Sequence, residues 1–129
     1  MAQPNMPAVT AVIVAAGASR RMGFDKLSFR LPDGRTVLET SCAALAAHPD
    51  AKLLVLTSPT YEGVISDLAA ICTAAHAAGV PVLVDEAHGA HLGLAPGWPA
   101  GAVAFGADVV VQSLHKTLPS LTQTGILHQ

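Results

Sequence analysis

The sequence predicts an α/β fold, a three-layer sandwich around a mostly parallel sheet of four or five strands, and three observations predict it. Short apolar runs alternate with alanine-rich stretches of helical period. The apolar runs lack the polar alternation of a sheet with one wet face, which is the pattern of strands buried on both sides. The chain is also 51% hydrophobic, 12% charged and only 4% aromatic. A composition so rich in alanine and so poor in charge suits helices packed tightly on a sheet.

The elements follow in order. AVTAVIVAAG (8–17) is a β-rich run ending in glycine. Its strand is expected beside that of residues 51–57, since a single right-handed crossover would connect them. TVLETSCAALAAHP (36–49) reads as a helix stopped by Pro49, and AKLLVLTS (51–58) as the second strand. In YEGVISDLAAICTAAHAAG (61–79), Val64, Leu68, Ile71, Ala75 and Ala78 recur at helical spacing, and Gly79 supplies a C-terminal stop. VPVLVDE (80–86) is a third strand, PAGAVAFGA (99–107) a short helix, DVVVQS (108–113) a fourth strand and TGILHQ (124–129) a fifth. This order gives a Rossmann-like sheet with helices on both faces. A Gly/Pro-rich loop, GLAPGWPAG (93–101), interrupts it.

Length and charge narrow the function classes. At 129 residues the chain is expected to be one domain, residues 1–129. No apolar run approaches the roughly 18 residues of a membrane span. The N-terminus MAQPNMPAVT lacks the positive start of a secretion signal, so a cytoplasmic protein is expected, with no membrane partner. Cys42 and Cys72 fall in helical patterns as small apolar filler, and His48, His76 and His128 lack metal-ligand spacing, so no metal site is expected. The net charge of −2 is uneven: residues 1–35 carry five basic residues, Arg20, Arg21, Lys26, Arg30 and Arg35, against Asp25 and Asp33. Without interleaved aromatics, such a cluster suits a small phosphate-bearing ligand better than nucleic acid. Self-association is open.

In parallel sheets, ligands collect where strands end and helices begin. After the first strand stands AAGASRRMGFDK, whose small residues let backbone amides approach an anion while Ser19, Arg21 and Lys26 offer a hydroxyl and two cations. The stretch AVIVAAGASRRMGFDKLSFRLPDGRTVLETS, within residues 9–56, resembles the methylerythritol phosphate cytidylyltransferases of the nucleotidyltransferase superfamily. That resemblance implies that Ala15, Ala16 and Gly17 border the base and ribose, while Ser19, Arg21 and Lys26 hold the triphosphate of CTP with magnesium. The later metal-binding and second-substrate parts of that family have no counterpart downstream.

After the third strand stands DEAHGAH, and after the fourth SLHK. Lys116 is the first Lys or Arg after Lys52 and sits between the apolar GADVVV and the nearly uncharged TLPSLTQTG. Residues 54–129, with VLVDEAHGAHLG and GADVVVQSLHKTLPSLTQTGILH, resemble the pyridoxal 5′-phosphate-binding core of the ornithine/lysine/arginine decarboxylases, members of the aspartate-aminotransferase fold group. The resemblance implies that Lys116 forms the internal Schiff base and that Asp85 faces the ring nitrogen, these two being the catalytic pair. It further implies that Ala87 lets the ring lie against the strand end, that His88 sits beside it, and that Ser113 and His115 lie near the phosphate and the lysine. His91 has no assigned role.

The chain therefore reads as a truncated or chimeric α/β domain, with a cytidylyltransferase-like segment at 9–56 joined near residue 54 to a decarboxylase-like segment at 54–129. It is expected to retain a pyridoxal-phosphate-binding core without full turnover. The alternatives are a CTP-binding remnant and a non-catalytic recombinant fold, natural or constructed.

Overall fold

A computed structural model describes residues 29–48 and 50–129. The expected strand at 8–17, and its place beside residues 51–57, lie outside them. The described elements are α1 (Val37–Ala46), β1 (Leu54–Thr57), α2 (Leu68–Ala77), β2 (Val82–Asp85), a short 3-10 turn (Ala102–Phe105), β3 (Val109–Ser113), the one-turn helix α3 (Leu114–Thr117) and β4 (Gly125–His128). They form a four-stranded sheet in the order β1-β2-β3-β4. The β1–β2 and β2–β3 pairs are parallel and β3–β4 is antiparallel, so the fold is α/β with a mostly parallel sheet.

Local chemistry sets the helix ends. Thr36 caps α1 by accepting the Glu39 N–H at Oγ1 (3.1 Å), and the Glu39 carboxylate reaches back to the Thr36 N–H, a reciprocal capping box. The helix ends at Ala46; Pro49, to which the stop was assigned, lies outside the described residues. The helix expected over 61–79 is shorter, because α2 starts only at Leu68. Gly63 takes φ +86°, and the Thr60 and Ser58 hydroxyls accept the N–H groups of Val64 and Ser66, which holds 60–66 in a turn. Asp67 then caps α2 through the Ala70 N–H (3.1 Å). The C-terminal stop is as read: Gly79 at φ +71° donates to His76 O (2.9 Å), and Val80 donates to Ala75 O (3.0 Å).

One face of the sheet carries the core. Leu54, Leu56, Val82, Val84 and Val110 are paired in register and pack with Leu38, Cys42 and Ala46 of α1 and Leu68, Ile71, Cys72 and Ala75 of α2. Both cysteines are free and buried, and burial pushes the Cys42 thiol up to about 11. On the opposite face, Val55, Thr57, Leu83, Asp85 and Val109 are half-buried and Val111 is exposed. No described helix is long and apolar enough to cross a membrane.

Two of the five N-terminal basic residues are described, and both close a local turn. Arg30 Nη1 donates to Gly34 O (2.7 Å), and Arg35 pairs with Asp33 (2.7 Å), holding that carboxyl below its ordinary range. At the other end of the sheet, Asp108 ties β2 to α2. Its Oδ2 accepts the Val82 N–H (2.7 Å) and lies 2.8 Å from His76 Nε2. The Val82 bond first, and the His76 contact second, lower the Asp108 pKa.

A carboxylate with a depressed folded-state pKa stabilises the fold above its unfolded value and loses that contribution as the pH falls through the folded one. Asp108→Ala is therefore expected to cost about 1 kcal/mol at pH 7, below the usual range for bonds to charged groups because the carboxylate is exposed enough to be screened by solvent. In urea titrations that difference from the unsubstituted chain should shrink below about pH 4. A difference that stays constant down to about pH 2.5 would contradict it.

Candidate functional site

Because β1, β2 and β3 run parallel, their C-terminal ends share one edge. Ser58, Pro59 and Thr60 follow β1, Glu86 to His91 follow β2, and Ser113 to Lys116 close β3. The backbone knits these ends together: the Ser58 N–H donates to Asp85 O (3.0 Å), and the Glu86 N–H donates to Val111 O (2.8 Å).

Asp85 closes β2 on the half-covered face, opposite Val111 in register. Its Oδ1 accepts the Ala87 N–H (3.0 Å), a tight turn that fixes the carboxylate against the strand end. Ala87 is buried, and His88 is half-buried with its ring edge-on to Tyr61 (5.5 Å between centroids). Nδ1 of His88 is buried with no hydrogen-bond partner among the described residues. His91, which the sequence left without a role, packs edge-on against Trp98 (5.2 Å).

On the neighbouring strand, alternation brings Ser113 to the same face as Val111 and hence as Asp85. Ser113 occupies the N-cap position of α3 without its hydroxyl capping the helix. His115 is exposed, with Nδ1 3.3 Å from Thr124 O. Lys116 is exposed as well and has no hydrogen bond or ion pair among the described residues, which corrects the expectation of a strand-end lysine in apolar surroundings. The correction has a local cause. After Ser113 the chain enters α3, none of whose residues is buried, and α3 contacts β4, whose Ile126 and Leu127 are themselves exposed. Asp85, Ala87 and His88 thus stand at one strand end, and Ser113, His115 and Lys116 at the next.

Sequence reasoning missed the residues behind this edge. Glu86, next to Asp85, is fully buried. Its Oε1 accepts the Ala102 N–H (2.7 Å) and its Oε2 accepts Gln112 Nε2 (2.6 Å). Gln112 Oε1 in turn lies 3.0 Å from His128 Nε2. The signal that could have found them was Gln112 itself, an amide directly after the apolar run VVV.

Two glycines make room for Glu86. A Cβ on Gly89 would lie 2.5 Å from Glu86 Cγ and 2.6 Å from Pro59 Cδ, and one on Gly101 would lie 3.2 Å from Glu86 Oε2. Among the described residues no three His, Cys, Asp or Glu side chains converge as metal ligands. The residues assigned to CTP, Ala15, Ala16, Gly17, Ser19, Arg21 and Lys26, lie outside the described residues.

Comparisons with known proteins bear on this edge. The family model of the Orn/Lys/Arg decarboxylase major domain matches residues 32–129. YaaO, an uncharacterized protein of Bacillus subtilis, is 58% identical over 91 residues, covering 70% of this chain and 19% of that protein. An arginine decarboxylase of the same organism is 50% identical over 91 residues, again 70% and 19%. An arginine decarboxylase of Halalkalibacterium halodurans is 48% identical over 85 residues, 66% and 17%. Among solved structures, apo CalE6, a methionine gamma lyase from Micromonospora echinospora, gives a TM-score of 0.41 at 28% identity, over 64% of this chain and 20% of that one. The chain spans under a fifth of the length of these curated relatives.

The family match also moves a boundary. The decarboxylase-like part begins at residue 32 and not near 54, so α1 falls inside it. Packing gives the reason, since Leu38, Cys42 and Ala46 of α1 share one core with α2 and the sheet. The comparisons lend the cytidylyltransferase resemblance no support.

Gly89→Ala is expected to destabilise the chain by about 2 kcal/mol, within the range of overpacking, and to shift the tryptophan fluorescence of Trp98, the chain's single tryptophan, on the same loop. Unchanged urea midpoint and emission would mean that the loop does not close on Glu86 as described.

Proposed function

The chain belongs to the family of the Orn/Lys/Arg decarboxylase major domain, and we propose that it is the part of such a domain that anchors pyridoxal 5′-phosphate. Lys116 is the covalent anchor and Asp85 the partner of the ring nitrogen. The observation that carries the reading is the parallel pairing of β2 with β3, which sets a carboxylate and an amine-bearing turn at neighbouring strand ends. Pyridoxal-phosphate dependence is also in the name of a relative from Methanothermobacter thermautotrophicus, 39% identical over 72 residues.

The residues present fit the group. They comprise a carboxylate, an amine, a hydroxyl and two imidazoles, and the buried Nδ1 of His88, like that of His91, has no partner among the described residues. When bound, the cofactor supplies a protonated ring that draws electrons from the bond being broken. Asp85 would hold a proton on the ring nitrogen through Oδ2, since Oδ1 is taken by the Ala87 N–H. Ala87 lets a flat ring approach the strand end. Lys116, unpaired among the described residues and open to solvent, is accessible to an aldehyde. Ser113 offers a hydroxyl that no cap consumes, and His115 and His88 flank the two strand ends. For the whole protein, the substrate class is a basic amino acid. For this chain alone the expected activity is binding without decarboxylation, because it spans under a fifth of the decarboxylases it resembles.

The test is covalent capture. Pyridoxal 5′-phosphate added to the purified chain should give a visible absorbance band, borohydride should fix the adduct, and peptide mass spectrometry should place it on Lys116, with Lys26 and Lys52 as internal controls. Lys116→Ala should abolish the site-specific adduct, and Asp85→Asn should keep it while changing the pH dependence of its absorbance. Equal labelling of the three lysines would overturn the reading.

A further inference from the structure

Glu86 raises a question that the cofactor reading does not answer. It is a fully buried carboxylate, and no described cation pairs with it. Burying an ionisable group without a counter-charge is costly unless hydrogen bonds compensate. Here two donors do so, one on each oxygen: the Ala102 N–H on Oε1 and Gln112 Nε2 on Oε2. Both of its glycine neighbours, Gly89 and Gly101, leave space that any side chain would fill.

The bonds have a direction. With Glu86 accepting at both oxygens, the Gln112 amide must turn its NH₂ toward the carboxylate. Its carbonyl oxygen then faces His128 Nε2 at 3.0 Å, and an oxygen acceptor demands a hydrogen on that nitrogen. The polarity of the chain of bonds thus runs from β4 through β3 into the loop after β2. Glu86 and Gln112 each adjoin a residue of the cofactor reading, Asp85 and Ser113. Strand alternation turns Gln112 and Ser113 to opposite faces, and Glu86, bonded to Gln112, lies on Gln112's side.

We propose that Glu86, Gln112 and His128 form a positioning network behind the cofactor edge, which fixes the spacing of the β2 and β3 ends and holds His128 as an Nε2–H donor. The positioning role rests on the cofactor reading; the polarity does not. None of the three touches the cofactor in this scheme, and they act through Asp85 and Ser113.

Nitrogen-15 NMR of the imidazole side chains checks the polarity without cofactor. In the unsubstituted chain, neutral His128 is expected as the Nε2–H tautomer, and an Nδ1–H tautomer there would overturn the proposal whether or not any variant folds. Glu86→Gln should invert the network. The new side-chain amide would keep the Ala102 bond through its oxygen and present its NH₂ to Gln112. That would force the Gln112 amide to flip and leave His128 facing a donor, so the tautomer should switch to Nδ1–H. Combining Glu86→Gln with Gln112→Glu restores acceptors at both junctions and should return His128 to Nε2–H, a rescue that a packing role would not produce.

The positioning part is read from borohydride-fixed adduct at Lys116. Glu86→Ala should lower its yield roughly tenfold, as misplacement of reacting groups does, and the double exchange should recover most of it. If the tautomers behave as stated but the unsubstituted chain gives no selective adduct, the cofactor reading fails and the network's polarity stands. If the adduct forms selectively but Glu86→Ala leaves its yield unchanged, the positioning role is wrong.

Discussion

The parallel pairing of β2 with β3 is the constraint on which the rest of this structure depends, and the buried carboxylate of Glu86 secures it at the end that matters. Two ladders meet there. The Glu86 N–H donates to Val111 O, and the Glu86 side chain takes the Gln112 amide, so one residue bonds the backbone and a side chain of the same neighbouring strand. Its third bond, from the Ala102 N–H, closes the long irregular segment between β2 and β3 back onto the sheet. A loop of that length would otherwise carry little to order it, since its Gly/Pro-rich part offers exposed Leu94 and Trp98 and not a packed core.

The sheet is asymmetric in what it asks of its two faces. The face covered by α1 and α2 holds small and branched side chains in register, with Leu56, Val82, Val84 and Val110 almost inaccessible. The opposite face bears Asp85 and Ser113 among the half-buried Val55, Leu83 and Val109 and the exposed Val111. Stability and chemistry are thereby separated by the thickness of one strand. The side chains at the edge do not interrupt that core, and the one acid buried on its side, Glu86, is met by a hydrogen-bond donor on each oxygen.

Much of this was legible in the sequence, and the reason is periodicity. Every described strand lies within an apolar run that marked it, and the Thr36 capping box and the Gly79 stop follow from residue type alone. The N-terminal part of the 61–79 helix was misread because Val64 sits at the right spacing, while the competing hydroxyls that hold 60–66 in a turn, Ser58 and Thr60, lie outside the periodic set. Asp85 and Lys116 were legible as an acid and a lysine at successive strand ends, and the pairing of β2 with β3 brings those ends side by side. The exposure of Lys116 was not, because it depends on how the one-turn α3, which buries none of its residues, packs after the strand. Nor was the burial of Glu86, which depends on two donors distant in sequence, the Ala102 N–H and the Gln112 amide one strand away.

Adjacent acids with opposite surroundings also explain how the register is kept. Asp85 and Glu86 differ by one methylene, and a slip of β2 by one residue would turn Asp85 toward Gln112 and Glu86 toward the half-covered face, since one step reverses every side chain. Two features oppose that slip. The valines of β2 alternate with Leu83, so the core face would exchange two inaccessible valines for a leucine and an aspartate. The shorter aspartate, moreover, would have to reach Gln112 Nε2 and the Ala102 N–H that Glu86 now holds at 2.6 and 2.7 Å. The extra methylene of Glu86 is what lets a carboxylate just beyond the strand end span to both the next strand and the returning loop, which leaves the shorter Asp85, locked by its own turn to Ala87, as the acid presented at the edge.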